Sequence, residues 1–122
     1  MSESIIKTKS FELAISGIKF YKSLVSDKKE FVMSKQFLRS ITSVGANVRE
    51  AVNAQSKPDF IHKLSIFQKE CDETMYWLEL LKDTNYISVE EFKSIYPQCE
   101  EVLKIIRSII ITSKKKLITH NL

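Results

Sequence analysis

Four residues set the limits on this chain. Among 122 positions there are two glycines, Gly17 and Gly45, and two prolines, Pro58 and Pro97. Barrels and sandwiches need frequent turns, and turns draw on these residue types. Their scarcity, together with apolar residues recurring every three or four positions, predicts long helices joined by short links. At this length one domain with one continuous core is expected. Apolar residues make up 43% of the chain, which supports a globular core and argues against disorder.

The periodicity divides the chain into four helical segments. Residues 1–9 read as a flexible lead. The first helix is predicted from Ser10 to Ser26, with Phe11, Ala14, Ile15, Ile18, Tyr21 and Val25 as its core stripe, widened by Phe20 and Leu24. Gly17 weakens that helix unless a close neighbour requires it. Asp27–Glu30 forms a charged turn. Ser34 is the expected cap of a second helix from Lys35 to Ala54, with a start near Phe31 as the alternative. Its stripe is Phe37, Leu38, Ile41, Val44, Val48, Ala51 and Val52.

Ser56-Lys-Pro-Asp59 is the clearest punctuation: a capping serine, a proline in the first turn and a carboxylate three residues on. The third helix continues to Asp83 along Ile61, Leu64, Phe67, Cys71, Thr74 or Met75, Leu78 and Leu81. Asn85 ends it. Ser88 and Glu91 form a second capping pair before a helix carrying Phe92, Ile95, Cys99, Val102, Leu103, Ile106, Ile109 and Ile110. Pro97 either kinks that helix or separates a short piece from a longer one. Lys114–Lys116 suit a solvated helix C-terminus. Residues 117–122 are expected to fray. The result is an all-α, antiparallel up-down-up-down four-helix bundle over residues 10–116. Ile61, Ile66, Trp77, Leu80 and Ile105 exceed what such a core requires. A surplus of this kind points to burial against a second copy.

Composition narrows function mainly by exclusion. Nineteen basic and 15 acidic residues give a net charge of +4, which fits ordinary solubility as well as attraction to polyanions. No apolar run is long enough to cross a bilayer, and no secretory leader is legible in Met1–Lys7, so the cytoplasm is the expected place. Cys71 and Cys99 fall at core positions and read as reduced thiols. Asp59 and His62 supply a single Asp-x-x-His, too little for a di-metal bundle, and His120 lies in the tail. No phosphate-binding glycine loop or nucleophile–base pair is legible. The expectation is no enzyme, no cofactor and no metal.

The second helix carries the unusual chemistry. Gly45 adds nothing to a core, and Asn47 costs desolvation unless it is hydrogen-bonded. Asn47 and Glu50 face nearly the same way, and a network with Arg39, Ser43 or Glu73 would fix helix 2 against helix 3. Lys35, Arg39, Arg49, Lys57, Lys63 and Lys69 form the nucleic-acid candidate set, with Arg39 and Arg49 read as near one face. The competing reading pairs these cations with Glu50 and Glu70.

Ser34-x-Gln36-x-x-Arg39-Ser40-x-x-Ser43-x-Gly45-x-Asn47-x-x-Glu50 resembles the signature of bacterial four-helix bundle proteins, also called ribosomal-RNA intervening-sequence proteins. Ser56–Ile66 and Lys69–Leu81 resemble the same family's third helix, and the match covers roughly residues 10–110. The resemblance implies a left-handed antiparallel bundle assembling as a ring, commonly a pentamer. It also implies a relationship to the accessory protein of diversity-generating retroelements, a basic pentameric barrel that binds nucleic acid and a reverse transcriptase. By position, Arg39, Asn47, Glu50, Glu73 and Trp77 match motif residues with roles in packing or assembly. The charge here is weaker than in the accessory-protein type. The reading is a non-enzymatic homo-oligomeric bundle, a scaffold or adaptor. The alternative is an RNA- or DNA-binding oligomer acting with a polymerase-type partner.

Overall fold

The computed structural model describes residues 2–121, with side chains for residues 5–119. It contains four helices: α1 Ser2–Lys28, α2 Met33–Val52, α3 Lys57–Asp83 and α4 Val89–Asn121. Links of four, four and five residues join them, too short for anything but antiparallel neighbours. Cross-helix pairs run in opposite senses on every seam. Phe20 meets Phe37 while Phe11 meets Arg49, and Ser40 meets Thr74 while Glu50 meets Lys63. Tyr96 meets Glu79 while Arg107 meets Asp72, and Lys9 meets Glu101 while Ser16 meets Gln98. Among the described residues the backbones of α1 and α3 make no close approach, nor do those of α2 and α4, so the helices stand at the corners of a square.

The core is the inner line of each helix. Phe37, Ile41, Val44 and Val48 of α2 meet Leu64, Phe67, Cys71, Leu78 and Leu81 of α3, all fully buried, and Ile106 and Cys99 close the far side from α4. Burial of each large aliphatic or aromatic side chain contributes about 1.5–3 kcal/mol before entropy is charged against it. The α2, α3 and α4 stripes agree with their periodicity, with Thr74 rather than Met75 pointing inward. The Thr74 hydroxyl lies 2.9 Å from both Glu70 O and Ser40 Oγ, so its single proton has an acceptor in reach and the buried group is satisfied.

α1 departs from expectation at both its start and its face. It begins at Ser2, so residues 2–9 are helix and not a flexible lead; Met1 lies outside the described residues. Ile6 explains the extension, since it is buried and belongs to the core. The core line is Ile6, Leu13, Gly17 and Leu24, with Ser10 buried and Phe20 half-buried between them. The expected stripe of Phe11, Ile15 and Ile18 points outward, at 53%, 40% and 38% exposure. α1 carries two apolar lines, and periodicity alone selected the one that lies outside. Gly17 decides which line faces in: a Cβ there would lie 2.7 Å from Cδ1 and Cγ2 of Ile41. The bare backbone lets α1 approach α2 along this line only.

The ends obey capping chemistry, with one correction. Ser34 does not cap α2. The carboxylate of Glu30 does, accepting from the N–H groups of Val32, Met33 and Ser34 at 3.0, 2.8 and 2.7 Å, while the Ser34 hydroxyl donates back to Glu30 O. Lys29 adopts φ 56°, which turns the chain so that Glu30 reaches the helix end. Ser56 caps α3 as expected, accepting from Asp59 N at 3.2 Å. Asn85, at φ 65°, ends α3, and Tyr86 N donates to Leu81 O at 2.9 Å. Ser88 and Glu91 exchange hydrogen bonds of 2.9 and 3.0 Å at the start of α4. α4 passes through Pro97 without a break. It also continues to Asn121, so residues 117–121 are helical and not a frayed tail; Leu122 lies outside the described residues. Leu117, packed half-buried against the core, holds those turns down.

Candidate functional site

Two surfaces bring the sequence-derived residues together. The first is the outer α2–α3 seam. Arg39 donates to Glu73 at 2.5 Å and to Glu70 at 3.3 Å, so one guanidinium spans two carboxylates a turn apart on the next helix. Trp77 Nε1 donates to the same Glu73 oxygen at 3.3 Å. The Arg39 hydrogen bond holds the Glu73 carboxyl below its ordinary range; burial opposes the shift and Trp77 adds to it. Further along, Lys63 and Glu50 close the seam at 3.5 Å. Arg39 is half exposed, so these pairs contribute little net stability and chiefly set register. Ser43 and Asn47 stay within α2: Ser43 Oγ donates to Arg39 O and Asn47 Nδ2 to Ser43 O. They occupy the seam but do not bridge it. Tyr76 stands edge-on to Trp77 at 5.2 Å and is exposed, with Leu80 half-buried a turn on and Ile66 half-buried about three turns back along α3.

The second surface is a shallow groove between α1 and α2. Phe11, Ala14, Thr42, Gly45 and Ala46 line it, with Lys7 and Arg49 at its rim, around a volume of about 300 Å³. Gly45 belongs here and not to a tight crossing. A Cβ on it would sit 3.6 Å from Ser10 O, an ordinary contact. Small residues on α2 leave the trough, and the outward line of α1 forms its wall. The Arg49 guanidinium lies 5.7 Å from the Phe11 ring centre.

The nucleic-acid candidates do not share a face. Arg39 lies on the α3 side of α2 and Arg49 on the α1 side, because ten residues turn a helix by about 280° beyond whole turns. Arg39 and Lys63 are paired with carboxylates, Lys57 lies 5.6 Å from the Phe60 ring, and Lys35 and Lys69 are exposed. Of the six, Arg39 and Lys63 are the ones paired among the described residues, with Glu70 and Glu73 and with Glu50 respectively. Asp59 accepts from Gln55 N, and His62 is exposed. Cys71 donates to Cys99 O at 3.4 Å; burial pushes its thiol up to about 12 and raises Cys99 as well. Both are inert thiols. Among the described residues no three His, Cys, Asp or Glu side chains converge as a metal site. The exposed α1 line and the Glu30 cap escaped the sequence reading; only the doubled apolar pattern of α1 signalled the first.

The architecture is that of a helical bundle built for contacts between helices. The chain belongs to the 23S rRNA-intervening sequence protein family, whose model matches residues 2–108. It is similar to a crystal structure from Bacteroides thetaiotaomicron, a protein with unknown function from the S23 ribosomal protein family. That protein is 54% identical, with 90% of this chain and 98% of that chain covered and a TM-score of 0.88. No curated protein matches the chain. No helix among the described residues is long and apolar enough to cross a membrane.

Proposed function

We propose that this protein is a non-enzymatic assembly unit whose copies join head to tail, a scaffold in which the ring is the working form. The observation that carries the reading is the second apolar line of α1, with Phe11, Ile15 and Ile18 exposed beside a trough of small residues on α2. A surface helix normally hides one apolar stripe, and a second one gains stability only against a partner. The partner surface that fits is on the diagonal corner: Tyr76, Trp77, Leu80 and Ile66 of α3. Two different patches on opposite corners favour a heterologous contact, which closes into a ring when the rotation permits. Five copies is the number the family resemblance implies.

The test is mass in solution by light scattering. The wild type is expected to run as a multiple of 14.2 kDa at micromolar concentration. Phe11→Ser combined with Ile15→Ser is expected to run as one chain with an unchanged circular dichroism spectrum, because neither residue contributes to the protomer core. A wild type of 14.2 kDa rules the assembly out, and a double variant of unchanged mass rules out the outer face of α1 as its interface.

A further inference from the structure

The charge of this molecule is concentrated at one end. Antiparallel packing gathers the start of α1, the end of α2, the start of α3 and the end of α4 at the same pole. Of the 19 Lys and Arg residues, ten fall within residues 2–10, 45–66 and 102–121, against three of the 15 carboxylates, with Glu101 and Asp72 at the edge of this end paired to Lys9 and Arg107. α4 itself is divided. Before Val102 it carries four glutamates and one lysine; from Val102 onward it carries five basic residues and no carboxylate. A helix dipole explains cations in the last turn, but its influence fades within a turn, and Lys104 and Arg107 lie well before that.

The outward face of this half of α4 is a row. Lys104, Ser108, Thr112, Lys115 or Lys116, and Thr119 follow each other at three- and four-residue spacing, over about 22 Å of helix. Three shallow grooves run along it and share residues: one with Ile5, Lys104 and Ser108; one with Lys57, Thr112 and Lys116; one with Lys115 and Thr119. Among described side chains, no carboxylate lies within ion-pairing distance of Lys57, Lys104, Lys115 or Lys116. The paired lysines and arginines are Lys9, Arg39, Lys63, Lys82 and Arg107.

We propose that this pole docks the phosphodiester backbone of nucleic acid without reading its sequence. Unpaired ammonium groups displace condensed counterions, and the interleaved hydroxyls donate to phosphate oxygens. An anionic membrane is the poorer fit, because an interfacial helix buries a broad, continuous apolar face, whereas the exposed apolar side chains on this face of α4, Ile111 and Ile118, stand apart among lysines and hydroxyls. The surface differs from the cation set picked out by sequence, and it does not depend on the protomers assembling.

The experiment is fluorescence anisotropy of labelled 30-nucleotide RNA and duplex DNA with the full chain, from 25 to 300 mM salt. Affinity is expected to fall steeply with salt. Lys115→Glu with Lys116→Glu is expected to lower affinity at least about ten-fold and to flatten the salt slope by about one to two. Lys115→Arg with Lys116→Arg, and Lys57→Gln with Lys104→Gln, guard against a folding artefact: the first keeps affinity and the second lowers it. Lys35→Glu with Lys69→Glu, the same charge change elsewhere, is expected to stay within two-fold of wild type. Absence of binding at 25 mM salt, equal losses in both charge-reversed proteins, or binding confined to phosphatidylserine vesicles would overturn the proposal.

Discussion

The two glycines of this chain have opposite roles, and single methyl groups expose the difference. At Gly17 an added Cβ meets two carbons of a fully buried Ile41 at 2.7 Å. Overpacking of this kind costs about 1–3 kcal/mol, more than the roughly 1 kcal/mol of helix propensity that alanine returns. Gly17→Ala is therefore expected to lower stability in urea unfolding. At Gly45 the new Cβ makes an ordinary contact, so propensity prevails and Gly45→Ala is expected to unfold at equal or higher urea. It also narrows the trough on α2. If that trough seats a second protomer, the variant assembles less well while its fold is firmer, and light scattering on the same samples checks this. A position that stabilises the protomer yet weakens assembly marks a surface kept open for a partner.

At the level of elements, the start of α2 shows how a helix end is made from what lies before it. Ser34 has the chemistry of a cap and sits within the run that suggested one, but Glu30 is the group in position. Three backbone donors on one buried carboxylate were not legible, because they depend on Lys29 turning into a left-handed conformation. Burial pushes the Glu30 carboxyl up, but the N–H bonds from Met33, Ser34 and Val32, with the Ser34 hydroxyl, outweigh it and hold the group below its ordinary value. A carboxyl depressed on folding contributes fully above its unfolded pKa, and the contribution is lost as pH falls through the folded one. Glu30→Gln is thus expected to cost about 0.5–2 kcal/mol at neutral pH and less at an acid pH below the folded pKa, where wild type has lost the same advantage. Urea titrations at the two pH values check it; an equal loss at both would show that charge plays no part in the cap. Where caps used side chains within three residues, as at Ser56 and Ser88, the sequence was enough.

Taken whole, the molecule was readable from sequence wherever one apolar line dominated a helix, as in α2, α3 and most of α4. It was not readable in α1, because Phe11, Ile15 and Ile18 repeat as regularly as Ile6, Leu13 and Leu24, and nothing in a single chain says which line meets its own core. The answer came from Ile41 across the seam. Arg39 and Glu73 were named from sequence only as candidate members of an interhelical network, since residues on different helices share no spacing, and the separation of Arg39 from Arg49 required the helical phase to be followed through ten residues. If the outer line is covered by another protomer, melting depends on concentration. Tm is expected to rise between 1 and 100 μM for wild type and to stay constant for the Phe11→Ser, Ile15→Ser protein, since mass action stabilises only what associates.

The square plan with empty diagonals has a kinetic meaning. Three of its four seams join helices that follow one another through links of four or five residues, so their closure entropy is small. Only the α1–α4 seam joins helices from the two ends of the chain. Contacts so close along the polypeptide place the expected refolding in the microsecond-to-millisecond range, with the α1–α4 seam carrying the largest closure entropy.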